Sequence, residues 1–221
     1  MKTLELFSGT ASFSKVAKVF NHSTFCIDKF EGLGQLNLKL DLSSDVMVER
    51  ICLDLKTIDF IWASPPCTAF SVASIGKNWD KETRKPKSKN ALLGLKLLEN
   101  TIKIISEIKP KYWVIENPRG MMRKVIDQIF QKYGLTNVRR NTVTYCQYGD
   151  SRMKPTDLWC NFDWNTKPMC KNGSHCHVPA PRGSRTGTQG LKGNKERSII
   201  PEQLCKEVLE QIENITFINK K

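Results

Sequence analysis

Ala63-Ser64-Pro65-Pro66-Cys67-Thr68-Ala69-Phe70-Ser71 is the stretch on which the reading of this chain turns. Just ahead of it, Ile58-Asp59-Phe60-Ile61-Trp62 is a short apolar, β-branched and aromatic run that predicts a buried strand. Two prolines stop that strand, because each fixes φ and neither can donate to a ladder. A thiol therefore stands on a stiff turn just past the carboxyl end of a strand. In open α/β sheets that is where ligands bind. An ordinary proline turn with an incidental cysteine would look the same, so the neighbours decide.

Towards the N-terminus, Leu4-Glu5-Leu6-Phe7-Ser8-Gly9-Thr10-Ala11-Ser12-Phe13 predicts a strand, a glycine turn and a helix over 11–20. Gly9 lets the backbone turn tightly, and the helix would aim its free N–H groups at a ligand there. A second strand over 24–27 ends at Asp28, about 20 residues past the glycine turn, where an acid commonly meets a ribose diol. Residues 35–40 then lead into Asp41, and 46–55 predicts a helix.

Towards the C-terminus, Leu92, Leu95, Leu98, Ile102, Ile105 and Ile108 recur at three- and four-residue spacing and predict a helix over 91–108. Pro110 ends it. Tyr112-Trp113-Val114-Ile115 is another buried strand, and it runs into Glu116-Asn117-Pro118-Arg119-Gly120. A carboxylate directly after such a run is costly without a partner, which favours a functional role. A helix over 121–132 and a strand over 142–145 follow. This alternation predicts a doubly wound, mostly parallel α/β sheet with ligand-facing loops.

The chain has 221 residues, enough for one large domain, and 35 Lys+Arg against 22 Asp+Glu give a net charge of +13. The charge is concentrated. Residues 77–89 hold six basic and two acidic residues, and 165–197 hold seven basic and one acidic. Two such patches point to a polyanionic partner. No run approaches the roughly 18 apolar residues of a membrane span. The N-terminus opens directly into a strand, so no signal peptide is expected ahead of the fold. The eight cysteines are scattered through predicted strands and turns rather than framed as a disulfide set, which predicts a reduced, cytoplasmic protein.

Taken together, Leu6-Phe7-Ser8-Gly9, Pro66-Cys67, Glu116-Asn117 and Tyr148-Gly149-Asp150-Ser151-Arg152-Met153-Lys154, in that order, resemble the DNA (cytosine-5) methyltransferase family. The match covers most of residues 3–160. The short Met169-Cys170…Cys176-His177 insert and Ala180-Pro181-Arg182-Gly183 are similar to compact members carried by phages and prophages, which act in a bacterial host cell. The resemblance implies a Rossmann-like S-adenosylmethionine-dependent fold, double-stranded DNA as partner and a monomer. It implies that Cys67 adds to cytosine C6, that Glu116 holds the N3 and N4 edge, and that Arg152 and Lys154 are the basic pair orienting base, acid and nucleophile. A free thiol is only slightly ionised at neutrality, so the site is expected to lower the pKa of Cys67. The cytosine would be flipped out of the duplex.

In the same reading Phe7, Ser8 and Gly9 line the cofactor, Asp28 binds its ribose, Asp41 meets the adenine amino group, and the backbone of Pro65 lies beside it. The basic loop over 71–89, with Ser71, Lys77 and Arg84, matches the family's mobile loop that closes on flipped DNA. The chain departs from the family in having Pro118 after Glu-Asn, Lys154 in place of an arginine, and only residues 155–200 where a longer target-recognition region is usual. A very short recognition site is implied. The same features are shared by RNA (tRNA) cytosine-5 methyltransferases, and a non-catalytic basic DNA-binding protein could retain the fold.

The expected organisation is a catalytic domain over 1–160, a short basic Cys/His insert over 161–198 and a C-terminal helix over 199–221 packing back on the catalytic domain. Cys170, Cys176 and His177 are three metal-capable ligands whose spacing is not a tight Cys-x2-Cys, with Cys160 and His175 near; the fourth ligand is open. Structural zinc would cross-link a region poor in core residues. A basic loop with incidental thiols is the alternative. Arg182, Arg185 and Gln189, in a glycine-rich stretch, are the expected contacts to phosphates or base edges.

Overall fold

The computed structural model describes residues 1–31, 37–171, 173–179 and 193–218. The expected DNA contacts Arg182, Arg185 and Gln189 lie outside the described residues. In chain order the elements are β1 (Lys2–Leu6), α1 (Ser12–Val19), β2 (Ser23–Asp28), β3 (Leu38–Lys39), α2 (Asp45–Asp54), β4 (Phe60–Ala63) and α3 (Ile75–Asn78). They continue as α4 (Lys89–Ile108), β5 (Tyr112–Pro118), α5 (Met122–Lys132), β6 (Arg139–Thr144), β7 (Pro155–Cys160), α6 (Asn194–Ser198) and α7 (Glu202–Ile218).

The seven strands form one sheet in the order β3-β2-β1-β4-β5-β7-β6. The first five are mutually parallel, and β7 runs antiparallel between β5 and β6. Strand alternation explains why both faces are covered. Ile61, Ala63, Trp113 and Ile115 enter a core with α2, α4 and α5, whereas Phe60, Trp62, Tyr112 and Val114 enter a second core with α1 and α7. Central parallel strands buried on both faces read as continuous apolar runs, which is why the sequence announced them.

Two local differences matter for the site. β5 extends through Pro118 rather than stopping before Glu116, because β7 pairs Glu116 with Leu158 and Asn117 with Asp157. The buried Asp157 is tolerated there because Arg123 of α5 and the Thr142 hydroxyl both bond it. α4 starts two residues before the expected 91, at Lys89, because the Ser88 side chain accepts from the Ala91 amide as an N-cap at 3.1 Å.

α7 packs back on α1: Leu204, Cys205, Val208, Leu209 and Ile212 are buried with Phe13, Val16 and Ala17. Phe162 and Trp164, at the start of the predicted insert, join the same core. Among the described residues no helix is long and apolar enough to cross a membrane.

Candidate active site

β1, β4 and β5 end side by side, and their carboxyl ends carry the residues singled out above. After Ala63 the chain is tied to β1 by the Ser64 amide on the Leu6 carbonyl (3.2 Å). The Pro65 carbonyl accepts from Asn117 Nδ2 at 2.7 Å, linking the two polar constellations directly. Cys67–Ala69 then forms one 3-10 turn, with the Phe70 and Ser71 amides both on the Cys67 carbonyl. Asn78 Nδ2 bonds the Thr68 carbonyl and Trp79 Nε1 the Ala69 carbonyl (3.1 and 2.6 Å). Two glycines let neighbouring backbone press in: a Cβ on Gly94 would lie 2.3 Å from that of Ala69, and one on Gly120 2.2 Å from the Phe70 carbonyl oxygen. The turn is thus fixed by partners on several elements, with Cys67 exposed at its tip.

Glu116 is 5 % exposed. Its Oε1 accepts from the Tyr145 hydroxyl at 2.8 Å and lies 3.9 Å from Lys154 Nζ, which sits 4.6 Å over the Tyr145 ring. Tyr145 opens the 3-10 turn Tyr145–Tyr148, between β6 and β7. The two members of the basic pair do different things. Arg152 binds Asp150 and donates to the carbonyls of Glu196 and Ile199, so its guanidinium fastens the approach to α7. Lys154 faces Glu116 and also donates to the Arg197 carbonyl (3.2 Å).

The expectation of a lowered thiol pKa is overturned. The protein around Cys67 desolvates a thiolate and pushes its pKa up; the Lys154 charge pulls it back, Glu116 adds to the rise, and Arg197 lowers it. Two nearby cations do not outweigh the loss of water.

At the end of β1 the backbone enters the left-handed region at Phe7 (φ 58°), Gly9 (φ 47°) and Ala11 (φ 52°). Non-glycine residues held there store strain of order 1–3 kcal/mol each, a pattern that clusters at functional turns. A Cβ on Gly9 would meet only the Phe7 carbonyl, at 3.9 Å, so the turn faces open space. Asp28 accepts from the Gly9 and Phe30 amides, both at 2.9 Å. The helix-terminus expectation is corrected: the Ser14 and Phe13 amides of α1 are taken by the buried carboxylate of Glu5, at 2.8 and 3.4 Å. Burial pushes that carboxyl up to about 7. Asp41 accepts from Lys29 and from the Ser43 amide, and these two bonds hold its carboxyl down to about 2.

With this geometry in hand, the chain was compared with known proteins. Residues 35–135, which contain both Cys67 and Glu116, match the model of the C-5 cytosine-specific DNA methylase family. A Frog virus 3 (isolate Goorha) protein named "Probable DNA (cytosine-5)-methyltransferase" is 31% identical over 186 residues, covering 80% of this chain and 78% of the relative. The chain belongs to the C-5 cytosine-specific DNA methylase family. Solved structures agree on the fold: a prophage-encoded E. coli protein (TM-score 0.50, 18% identity, 72% of this chain) and the S. pombe Dnmt2 methyltransferase (TM-score 0.50, 15% identity, 75% of this chain). This chain spans 46% and 51% of those two, about half their length.

In this methylase-family member the basic loop is anchored at its middle. Asn78 and Trp79 are buried under the Cys67 turn, while Lys77 and Arg84 are exposed and Ser71 bridges to Gly120. The residues that sequence reasoning missed, Tyr145, Arg197 and Cys146, lie at the junction of β6, β7 and the C-terminal segment. Cys146, Cys170, Cys176 and His177 bring their ligand atoms within 4.8 Å of one another and could hold a metal ion; Cys160 and His175 are not part of that group. A recess of about 380 Å³ at the opposite end of β5, lined by Ile105, Trp113 and Tyr133 among others, contains no thiol or carboxylate.

Proposed function

We propose that this chain transfers a methyl group to C5 of a cytosine in DNA through a covalent adduct at Cys67. The observation that carries this is the pairing of two constellations by one hydrogen bond, Asn117 Nδ2 on the Pro65 carbonyl, which sets the nucleophile turn beside Glu116. Cys67 adds to C6 as the thiolate, forming the S–C6 bond and moving the ring electrons towards C5. Glu116, held by Tyr145 and Lys154, meets the N3 and N4 edge and shares the proton that balances charge at N3. After methylation, solvent water takes the C5 proton, the C–H electron pair restores the C5–C6 double bond, and the S–C6 bond breaks to return Cys67 as the thiolate. The target must leave the duplex to reach this turn.

The residues fit S-adenosylmethionine. Open space faces the left-handed turn, Asp28 retains acceptor capacity beyond its two amide bonds, and the buried Asn117 Oδ1 beside Pro65 has no partner among the described residues. Phe7, Ser8, Gly9, Asp28 and the backbone of Pro65 would hold it; Asp41 would reach the adenine only by sharing itself with Lys29. When bound, it supplies an electrophilic methyl on a sulfonium. The raised Cys67 pKa keeps the thiol protonated until the base arrives, which spares an exposed cysteine from oxidation.

Exposed Lys77 and Arg84 are assigned to DNA phosphates, and Arg182, Arg185 and Gln189, of the segment standing where a recognition domain is usual, to phosphates or base edges. We assign zinc to the cluster containing Cys170, Cys176 and His177. The test of the activity is transfer of labelled methyl from S-adenosylmethionine to unmethylated duplex DNA, with the modified positions sequenced. Label at cytosine C5, lost by at least about a thousandfold in Cys67→Ser, is expected. Label on RNA alone would overturn the DNA assignment, and transfer surviving in Cys67→Ser would overturn the adduct.

A further inference from the structure

The sequence names three metal-capable residues in the insert, and the fold brings a fourth to them from the catalytic domain. Cys146 stands in the turn Tyr145–Tyr148, 24 residues before Cys170, and its sulfur lies 3.1 Å from that of Cys170. His177 Nδ1 lies 3.6 Å from the sulfurs of both Cys170 and Cys176. A tetrahedral zinc with bonds of about 2.3 Å to sulfur and 2.0–2.1 Å to nitrogen requires S···N edges of about 3.5 Å and S···S edges of about 3.8 Å. Both S···N distances meet this requirement, whereas the Cys146 and Cys170 sulfurs are about 0.7 Å closer than the S···S edge and would part by that much on binding the ion. The Cys146–Cys170 separation is well beyond the ~2.0 Å of a disulfide, and both thiols are free.

The donor set is three sulfurs and one imidazole nitrogen, with no carboxylate. Such a set selects zinc over magnesium or calcium. Four protein ligands leave no position for a reacting water, so the site is structural rather than catalytic. Gln147 Nε2 adds an N–H···S contact to Cys176 at 3.4 Å, the kind of outer contact that steadies a thiolate ligand.

The cluster also lies where a cross-link changes most. None of the described residues of 165–179 belongs to either apolar core. They touch the catalytic domain through the Cys170 amide on Thr144 Oγ1, the Lys167 amide on the Tyr148 hydroxyl and the Val178 amide on the Ser151 carbonyl. Every one of these anchors is within the stretch 144–151. The same stretch carries Tyr145, whose hydroxyl holds Glu116.

Resting on the zinc reading, we infer that Cys146 is the fourth ligand and that one zinc ion bound by Cys146, Cys170, Cys176 and His177 staples the basic insert to the turn that positions the catalytic acid. Zinc thereby joins the insert beyond Trp164, whose described residues enter neither apolar core, to the turn Tyr145–Tyr148.

The test uses the full-length protein. Metal analysis of the purified chain is expected to give about one zinc per chain. Cobalt substitution is expected to give the visible bands of a tetrahedral site with a charge-transfer intensity of three thiolates. Cys146→Ser and Cys176→Ser should each lose the metal, whereas Cys52→Ser, a thiol outside the cluster, should keep it. Chelation should open trypsin cleavage after Lys171 while circular dichroism of the helices is retained. A chain with no zinc defeats the zinc reading itself and this inference with it. A chain with zinc that Cys146→Ser retains at the same affinity, or cobalt bands of two thiolates, leaves the zinc reading intact and overturns Cys146 as ligand. Should Cys146→Ser fail to fold, the thiolate count on unmutated protein decides alone. None of these readouts depends on methyl transfer, so the activity stands or falls separately.

Discussion

The turn that carries Cys67 is gripped by β1, β5, α4 and the Asn78-Trp79 pair, through backbone bonds and two glycine contacts. Residues 165–179, by contrast, are attached by a few hydrogen bonds to one neighbouring stretch and by a cluster of metal-capable side chains. The first is bonded to Asn117, the neighbour of Glu116, and the second to the stretch that carries Tyr145, whose hydroxyl holds Glu116. The difference is one of means. Covalent chemistry needs a nucleophile placed to a fraction of an ångström, and dense packing supplies that placement. A surface that meets DNA needs charge more than apolar burial, and so must be tethered by something other than a core.

The comparison breaks most visibly at Gly120. Gly120→Ala places a methyl 2.2 Å from the Phe70 carbonyl oxygen, and backbone cannot yield cheaply there. A loss of about 1–3 kcal/mol in urea unfolding is expected, with turnover falling further than stability because the Cys67 turn is displaced. Full activity in Gly120→Ala would mean that the turn tolerates displacement. The link between the two regions is probed by Tyr145→Phe, which removes a buried hydrogen bond of ~1.4 kcal/mol and should lower kcat about tenfold with little change in KM.

Thiol reactivity sharpens the contrast by a few-fold at neutral pH. Because burial raises the Cys67 pKa, its thiolate fraction is below that of a free thiol at pH 7, and alkylation should accelerate through a midpoint above the ordinary thiol value. Lys154→Gln should move that midpoint higher and Glu116→Gln lower, since one removes the charge that lowers the pKa and the other a charge that raises it. Mass spectrometry of iodoacetamide-treated protein across pH reads both. The smallest effect is expected at the exposed cations. Lys77→Ala and Arg84→Ala should each weaken DNA binding uniformly across sequences and reduce the salt slope by about 1.

What could be read from the sequence divides along the same line. β4, β5 and α4 were legible because central strands and an amphipathic helix write their burial into composition, and Cys67 and Glu116 were legible because they end or continue those runs. β7 was not, because it opens on Pro155 and contains Asp157, a strand-breaking residue and a charge; the partners that offset that carboxylate, Arg123 and Thr142, come from other elements. Cys146 was hidden for a different reason. Its partners are 24 to 31 residues away, and nothing local distinguishes a ligand from a core thiol until β6 and β7 turn. Glu5 reads as a polar position in a strand, yet its side chain is spent closing the amides of α1. The basic pair looked like one functional unit, yet Arg152 fastens the approach to α7 while Lys154 faces Glu116.

The packing of α7 on α1 has a consequence for how the protein comes into being. Phe13, Val16 and Ala17, from near the start of the chain, share a core with Leu204, Val208 and Ile212, from near its end. During synthesis the side of α1 that receives α7 must wait, uncovered, until the residues between Val19 and Glu202 have been translated. Burial on that face is therefore a late event in synthesis, set by contacts distant in sequence.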